Sequence, residues 1–388
     1  MITLNSEKKP VIVHSVGIWL PLTMTWVHNQ LKYIKAFFPV VFAQATQNLK
    51  QFPWDPIYLH SRKSNHLLAR GLRKLQVLSK YPVFDDIIKK HHPNILHSHF
   101  GDGGWYDLPL ARKYRLKHVV TFYGYDVNML PTQHPVWKQR YKELFERADL
   151  FLCEGPHMAK CLAKIGCPVE KLKVQRIGVE VDKILFVPRK LGEDGLVKIL
   201  IASTFREKKG IPYALEAVGI LKKDYPKIRI TLIGDATTEK RDQEEKKKIM
   251  DIIERYDLEP ITRIMGFQPY NVLLKEAYNH HIFLSPSVTA DDGDTEGGSP
   301  VTITEMAASG MPIVSTWHCD IPEVVLNNQT GFLVSERNVQ ELSLALEKLI
   351  NSPESWVDFG IASRAHMENK FNIANSIKYL EEYYNSLM

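Results

Sequence analysis

The chain has 388 residues, 44% of them hydrophobic and 24% charged, with a formal net charge of +6. That composition fits a globular chain better than a disordered one, and the length is enough for two domains with real cores. The mild positive charge suits anionic small molecules or an anionic surface. With no zinc-finger spacing and no RNA-binding aromatic signature, it gives no support for nucleic acid.

In chain order, short β-branched runs alternate with amphipathic stretches, so the hydrophobic period switches between two and about 3.6. Strands are expected over 10–16, 40–44, 95–99, 118–122, 150–153 and 173–177. Helices are expected over 25–37, 67–79, 106–114 and 137–147. The charged run VPRKLGEDG at 187–195 then breaks the rhythm and reads as a domain boundary. A second series follows, with strands over 196–202, 228–233, 261–265, 282–285 and 312–315 and helices over 212–223, 239–256, 270–279, 301–309 and 339–350. The fold class is therefore α/β, with two doubly wound, Rossmann-like domains over 1–187 and 188–370. The helical tail, 371–388, is expected to pack back across the boundary onto the first domain.

The apolar run at the N-terminus is framed by Pro10 and Gly17 and reads as a strand, not a signal peptide. No stretch has the length of a membrane span. Cys153, Cys161, Cys167 and Cys319 form no CxxC pair, which fits a reducing compartment. The expected location is cytoplasmic. The stretch 62–80 mixes Arg70, Arg73 and Lys74 with Leu67, Leu68, Leu72 and Leu75, making it a candidate contact with a membrane surface or a packed helix.

Ligands of doubly wound sheets sit beyond the carboxyl ends of the strands, so the loops there carry the candidates. Gly297, Gly298, Ser299 and Pro300 join an acidic loop to a helix, with Ser299 expected as N-cap and Pro300 at the first helical position. The amides of Val301 and Thr302 would then face an anion such as a diphosphate. Glu305, within that helix, suits vicinal hydroxyls, and Glu296 suits a second polyol. Asp291, Asp292 and Asp294 read as a solvated loop without a metal pattern. After the strand at 196–202, the loop 203–210 offers Lys209 to a developing diphosphate charge, while Lys208 is expected to face water. In the first domain, HSHFGDGG puts His97 and His99 at a strand end, where they serve either as substrate contacts or as packed structural groups. They lack a third ligand nearby in sequence for zinc. In TFYGYD, Asp126 is a candidate base or hydroxyl-orienting group, and Tyr123 and Tyr125 are candidate sugar platforms.

The ordered set HSHFG, TFYGYD, REKKG, GFQPY, SPS, EGGSP–TITEMAASGMPIVST, IPEVV and TGFLV resembles the retaining glycosyltransferases of the large two-Rossmann-domain family 4, group 1. Its flavour is that of the colanic-acid and amylovoran exopolysaccharide enzymes. The resemblance covers nearly the whole chain and is densest over 282–334. It implies a GT-B fold with two domains facing across a cleft. It also implies a nucleotide diphosphate sugar as donor, UDP ahead of GDP, and a glycan or lipid-linked glycan as acceptor. No required metal or other cofactor is expected, and the accompanying expectation for location is the cytoplasm, extending to the cytoplasmic face of the inner membrane. Lys209 resembles the family's diphosphate-binding lysine and Glu305 its ribose-binding acid. Gly298, Ser299, Pro300 and Val301 would support the diphosphate and Gly266 would border the base. Glu296 is a candidate contact of the donor sugar, and Asp126 and His99, read from their strand-end positions and not from the resemblance, are candidate contacts of the reacting sugars.

Three departures stand out. Eight residues separate Glu296 from Glu305 where the family has seven, so either the loop has one extra residue or Gly297 takes the first acid's place. Thr204 stands where the family has an arginine, and Arg206, two residues away, is the candidate to compensate, so both Thr204 and Arg206 are expected to bind the donor. Tyr123 replaces a histidine. A weakly catalytic sugar-nucleotide-binding protein or complex subunit, and a nucleotide-sugar epimerase, are the alternative readings.

Overall fold

The computed structural model describes residues 9–21, 24–60 and 82–388. The expected helix at 67–79 and the stretch 62–80 lie outside the described residues. The chain divides into two compact units. The first holds the described residues up to Glu154, Ala159–Gly178 and Ile373–Met388; the second holds Gly155–Met158 and Val179–Asn372.

The first unit is built on seven strands: β1 (Val11–Trp19), β2 (Phe38–Thr46), β3 (Ile57–Leu59), β4 (Ile95–His99), β5 (Lys117–Thr121), β6 (Leu150–Cys153) and β7 (Leu172–Val174). They form one parallel sheet in the order β3-β2-β1-β4-β5-β6-β7. The second unit has β8 (Val197–Ala202), β9 (Ile228–Ile233), β10 (Thr262–Ile264), β11 (Ile282–Ser285), β12 (Ile313–Thr316) and β13 (Gly331–Val334), parallel in the order β10-β9-β8-β11-β12-β13. Helices cover both faces of a parallel sheet, which is why its central strands are apolar throughout instead of alternating. Ile199, Leu200 and Ile201 of β8 are all buried, and they divide between two cores on opposite faces.

The sequence pattern missed the short strands β3 and β13. It also missed the helix Trp356–Lys370. The buried stripe of that helix is Trp356, Gly360, Ser363 and Met367, so two slots normally apolar hold small residues. The reason is close approach: a Cβ on Gly360 would lie 2.6 Å from the carbonyl oxygen of Gly310.

The boundary inferred at 187/188 falls inside the second unit. The charged segment that suggested it is anchored there by Arg189, which is 2% exposed. Its guanidinium donates to the carbonyls of His280 (2.8 Å), Ala277 (2.9 Å) and Ser309 (3.2 Å), and to Ser309 Oγ (3.0 Å). The terminal helix Ile373–Asn385 belongs to the first unit, where Ile377, Leu380 and Tyr384 pack with Ile12, Ile95 and Val119.

Candidate active site

In the second unit, β8 and β11 are neighbours from which the chain leaves in opposite directions, β8 toward β9 and β11 toward β12. The loops after these two strands therefore separate and leave a crevice at their carboxyl ends, the usual ligand position in such sheets. Lys209 stands in the loop after β8 and Glu296 in the loop after β11. The register places Phe283 of β11 beside Leu200 of β8.

The loop after β8 is fixed by backbone geometry. A short 3₁₀ turn, Glu207–Lys209, ends at Gly210 with φ +64°. A Cβ on Gly210 would lie 1.9 Å from the carbonyl oxygen of Pro286, so only glycine lets this loop meet the end of β11. Lys209 Nζ then lies 2.8 Å from Glu296 Oε2, with the side chains 17% and 5% exposed. Glu296 Oε1 accepts from Ser287 Oγ at 2.8 Å. The Glu296 amide donates to His318 Nε2, 3.1 Å, and His318 Nδ1 lies 2.7 Å from Glu336 Oε1. Burial pushes the Glu296 carboxyl up, but the ammonium groups of Lys209 and Lys208 more than offset it and hold it at about 2. It is Glu296 that reaches the lysine; Gly297 beside it supplies a positive-φ turn, φ +76°.

Two expectations for these loops are corrected. Lys208 does not face water: it is 15% exposed at the side chain, lies 3.0 Å from Asp294 Oδ1 and donates to Thr295 O at 2.9 Å. The acidic loop is solvated only in part: the side chains of Asp291 and Asp292 are 82% and 37% exposed. Asp294 is buried, Asp292 pairs with Arg241 at 3.0 Å and Asp291 with Arg337 at 3.0 Å. Single-sequence reading missed both because the partners lie 46 or more positions away.

The helix Val301–Ala308 starts at the expected residue, but Pro300 takes the cap position instead of the first helical one, with no side-chain cap bond. Ser299 does not cap it; its hydroxyl is buried with no hydrogen-bond partner. The amide of Ile303 donates to Pro300 O, 2.9 Å, so the amides of Val301 and Thr302 lie ahead of the first helical bond. Buried Gly298 lies just before this start, its carbonyl accepting from the Asp320 amide at 3.2 Å. Glu305, one turn in, is only partly exposed; burial raises its carboxyl to about 7, opposed by a hydrogen bond from the Tyr270 hydroxyl. Tyr270 opens the helix Tyr270–Tyr278, four residues after Gly266. Gly266 has φ +66° and bridges to Gly234, whose amide donates to the Gly266 carbonyl at 2.9 Å.

Thr204 and Arg206 complete the loop after β8. The Thr204 carbonyl accepts from the Arg206 amide, 2.9 Å. The Arg206 guanidinium is committed to Glu239 (3.2 Å) and buried Asp242 (3.3 Å). In this arrangement it does not take the place of the arginine that Thr204 replaces.

In the first unit, His99 ends β4 and is 2% exposed. Its Nδ1 lies 2.6 Å from Tyr123 Oη and its Nε2 lies 3.1 Å from His14 Nδ1; burial lowers its pKa to about 3. Phe100, next in the chain, holds φ +69° and ψ 142°, a conformation that costs a non-glycine residue strain and is kept by its neighbours. Asp126 is fully buried. Its carboxylate accepts three amides, those of Gly101 (2.7 Å), Tyr123 (3.0 Å) and Gly124 (2.9 Å). Burial nevertheless raises it to about 7. So placed, Asp126 ties the loop after β5 to the start of the helix Gly101–Tyr114.

The family model for glycosyl transferases group 1 matches residues 185–366, and that for glycosyltransferase family 4 matches residues 36–183. The amylovoran biosynthesis glycosyltransferase AmsK of Erwinia amylovora is 33% identical over 292 residues, which is 73% of this chain and 68% of AmsK. The chain belongs to the group 1 glycosyl transferases. Among other relatives of this transferase is the putative colanic acid biosynthesis glycosyltransferase WcaL of Escherichia coli K12, 34% identical over 64% of the chain and 59% of WcaL. In fold, the transferase is similar to Anabaena Alr3699/HepE, solved in complex with UDP and glucose. The TM-score is 0.77 at 16% identity, covering 97% of this chain and 100% of that one. The two parallel-sheet units are thus those of a GT-B fold.

Proposed function

We propose that this transferase moves a sugar, with retention of anomeric configuration, from a nucleotide diphosphate sugar to a hydroxyl of a glycan or lipid-linked glycan in cell-surface polysaccharide synthesis. The observation that carries the reading is the Lys209–Glu296 pair, 2.8 Å apart, at the β8/β11 crevice beside the start of the helix that bears Glu305. A UDP donor is favoured, since HepE was solved with UDP. The exopolysaccharide names of AmsK and WcaL support the acceptor class.

Four chemical roles follow. As the bond from the anomeric carbon to the diphosphate oxygen breaks, negative charge grows on the diphosphate. Lys209 and the amides of Val301 and Thr302 stabilise it, aided by the positive end of the helix, without a divalent metal at that position. Glu305 accepts hydrogen bonds from ribose hydroxyls, with Gly266 and its neighbours beside the base. Glu296 holds Lys209 in place and contacts donor-sugar hydroxyls. The acceptor oxygen attacks on the face the diphosphate leaves, and its proton passes to a diphosphate oxygen; no protein nucleophile is used.

A panel of sugar nucleotides and glycan acceptors, read by product mass and anomeric NMR, tests this. Product with retained configuration supports it, and an inverted product rejects the mechanism. The commitment of Arg206 to Glu239 and Asp242, with Thr204 at the arginine position, favours one second reading, a binding protein with weak transfer. Donor binding without transfer across the panel would establish that reading instead.

A further inference from the structure

His97 and His99 are two apart on β4 and share one face of the sheet. The third ligand that the sequence lacked comes from the neighbouring strand: the register sets His14 of β1 beside His97. All three are buried, at 0%, 0% and 2% exposure. Their ring centroids lie 5.0 Å (His14–His97), 5.4 Å (His14–His99) and 4.6 Å (His97–His99) apart. One ring nitrogen from each falls within 4.8 Å of the other two. We propose that His14, His97 and His99 form a binding site for a zinc-class divalent cation in the first unit, separate from the diphosphate cradle of the second.

The outer hydrogen bonds of the rings support this. His99 Nδ1 is 2.6 Å from Tyr123 Oη, and His97 Nδ1 is 2.6 Å from Tyr384 Oη. Zinc-ligating imidazoles are oriented in this way, one nitrogen held by an outer partner and the other turned to the ion. That leaves Nε2 of both rings. His97 Nε2 now lies 2.6 Å from Thr121 Oγ1, and His99 Nε2 lies 3.1 Å from His14 Nδ1. With zinc–nitrogen bonds of about 2.0–2.1 Å, neighbouring nitrogens of a tetrahedral site lie roughly 3.3 Å apart. The His14–His99 spacing is close to that already.

The proton count fits as well. One proton sits between His14 Nδ1 and His99 Nε2. While it does so on His14, His14 Nε2 is a buried lone pair without a donor, and this atom has no hydrogen-bond partner. Moving that proton to Nε2 turns two lone pairs toward each other across 3.1 Å, and a cation takes up both. No proton is lost overall, and no redox step is involved. A pocket lined by Thr121, Tyr123, Trp26 and Gln175 adjoins the hydroxyl partners of His97 and His99, so a water from it can take the fourth position. Held this way, the ion would join β1 to β4 and, through Tyr384, to the terminal helix.

The test uses the untagged full chain, stripped with a chelator and then titrated with zinc by calorimetry and with cobalt(II) by visible absorption. Expected are one high-affinity ion per chain and the intense spectrum of a tetrahedral cobalt site. His14→Gln should weaken the affinity at least about tenfold, while His134→Gln, on an exposed residue, should not. The proposal is overturned by the absence of a stoichiometric ion, by the weak spectrum of octahedral cobalt, or by unchanged affinity in both His14→Gln and His99→Gln. The trio would then be a buried hydrogen-bond network only. Should His14→Gln not fold, the cobalt spectrum of the unaltered chain decides alone.

Discussion

Replacing Lys209 with Met keeps the aliphatic stem and removes the charge that Glu296 faces. The Glu296 carboxyl stands at about 2 against 4.5 for an unperturbed glutamate. At about 1.4 kcal/mol per pH unit, its ionised form contributes on the order of 3 kcal/mol to folding at neutral pH. The gross attraction of two charges 2.8 Å apart is about 6 kcal/mol at an effective dielectric constant near 20. Burial of both side chains takes back the difference. Because the folded value is depressed, the contribution is present above the unfolded value and fades as pH falls from 4.5 toward 2. Lys208 stays nearby, so Lys209→Met should cost about 2–3 kcal/mol at pH 7 and less than half of that near pH 3. Urea denaturation, with the second unit followed by amide exchange in β8 and β11, measures this. A cycle with Glu296→Gln isolates the pair. Stability within about 0.5 kcal/mol of wild type at pH 7, with an unchanged pH profile, would refute a buried, coupled pair and leave an ordinary surface contact. The same variant should slow transfer by about 2–4 kcal/mol of barrier, the scale of one lost electrostatic contact at a developing charge.

Glu305→Gln should separate stability from function. Burial raises that carboxyl to about 7, so its ionisation works against the fold: stability is full below 4.5 and is lost as pH rises through 7. The amide should therefore be more stable than wild type at pH 8, by up to about 3 kcal/mol less a discount for the remaining exposure, and no more stable near pH 4. Donor affinity should fall in the same variant, and a pH-independent stability change would contradict the assignment. Asp126→Asn should destabilise the first unit by about 1–3 kcal/mol, because the carboxamide presents NH₂ to amides that need an acceptor. Thermal melts showing wild-type stability alongside a large drop in kcat would instead make Asp126 a catalytic group. Gly210→Ala should lower both stability and activity, since the Cβ meets Pro286 O at 1.9 Å and alanine resists φ +64°. A fully active, unshifted variant would mean that the loop after β8 does not depend on this close approach.

Much of the fold was legible because a buried parallel strand and its covering helix leave different periods in the chain. The strands expected at 95–99, 150–153, 228–233 and 282–285 coincide with β4, β6, β9 and β11. Where local pattern carries no such signal, the reading failed. The helix Trp356–Lys370 hides its buried stripe behind Gly360 and Ser363, and Arg189 makes a buried anchor look like a linker. The candidate site divides in the same way. Residue types and their strand-end positions follow from the chain alone: a lysine after β8, a glycine-rich turn into a helix, and a glutamate one turn in. Which group meets which does not. Lys209 finds Glu296 and Lys208 finds Asp294 across 87 and 86 positions, and His14 comes beside His97 and His99 from a strand more than 80 positions earlier. Sequence by itself determined the family, the two sheets and the loops that carry chemistry, because those depend on periods and motifs within a few residues. Only the tertiary structure decided the ion pairs, the carboxyl shifts and the histidine trio, because strand order and register bring distant side chains within reach and burial then sets their charge.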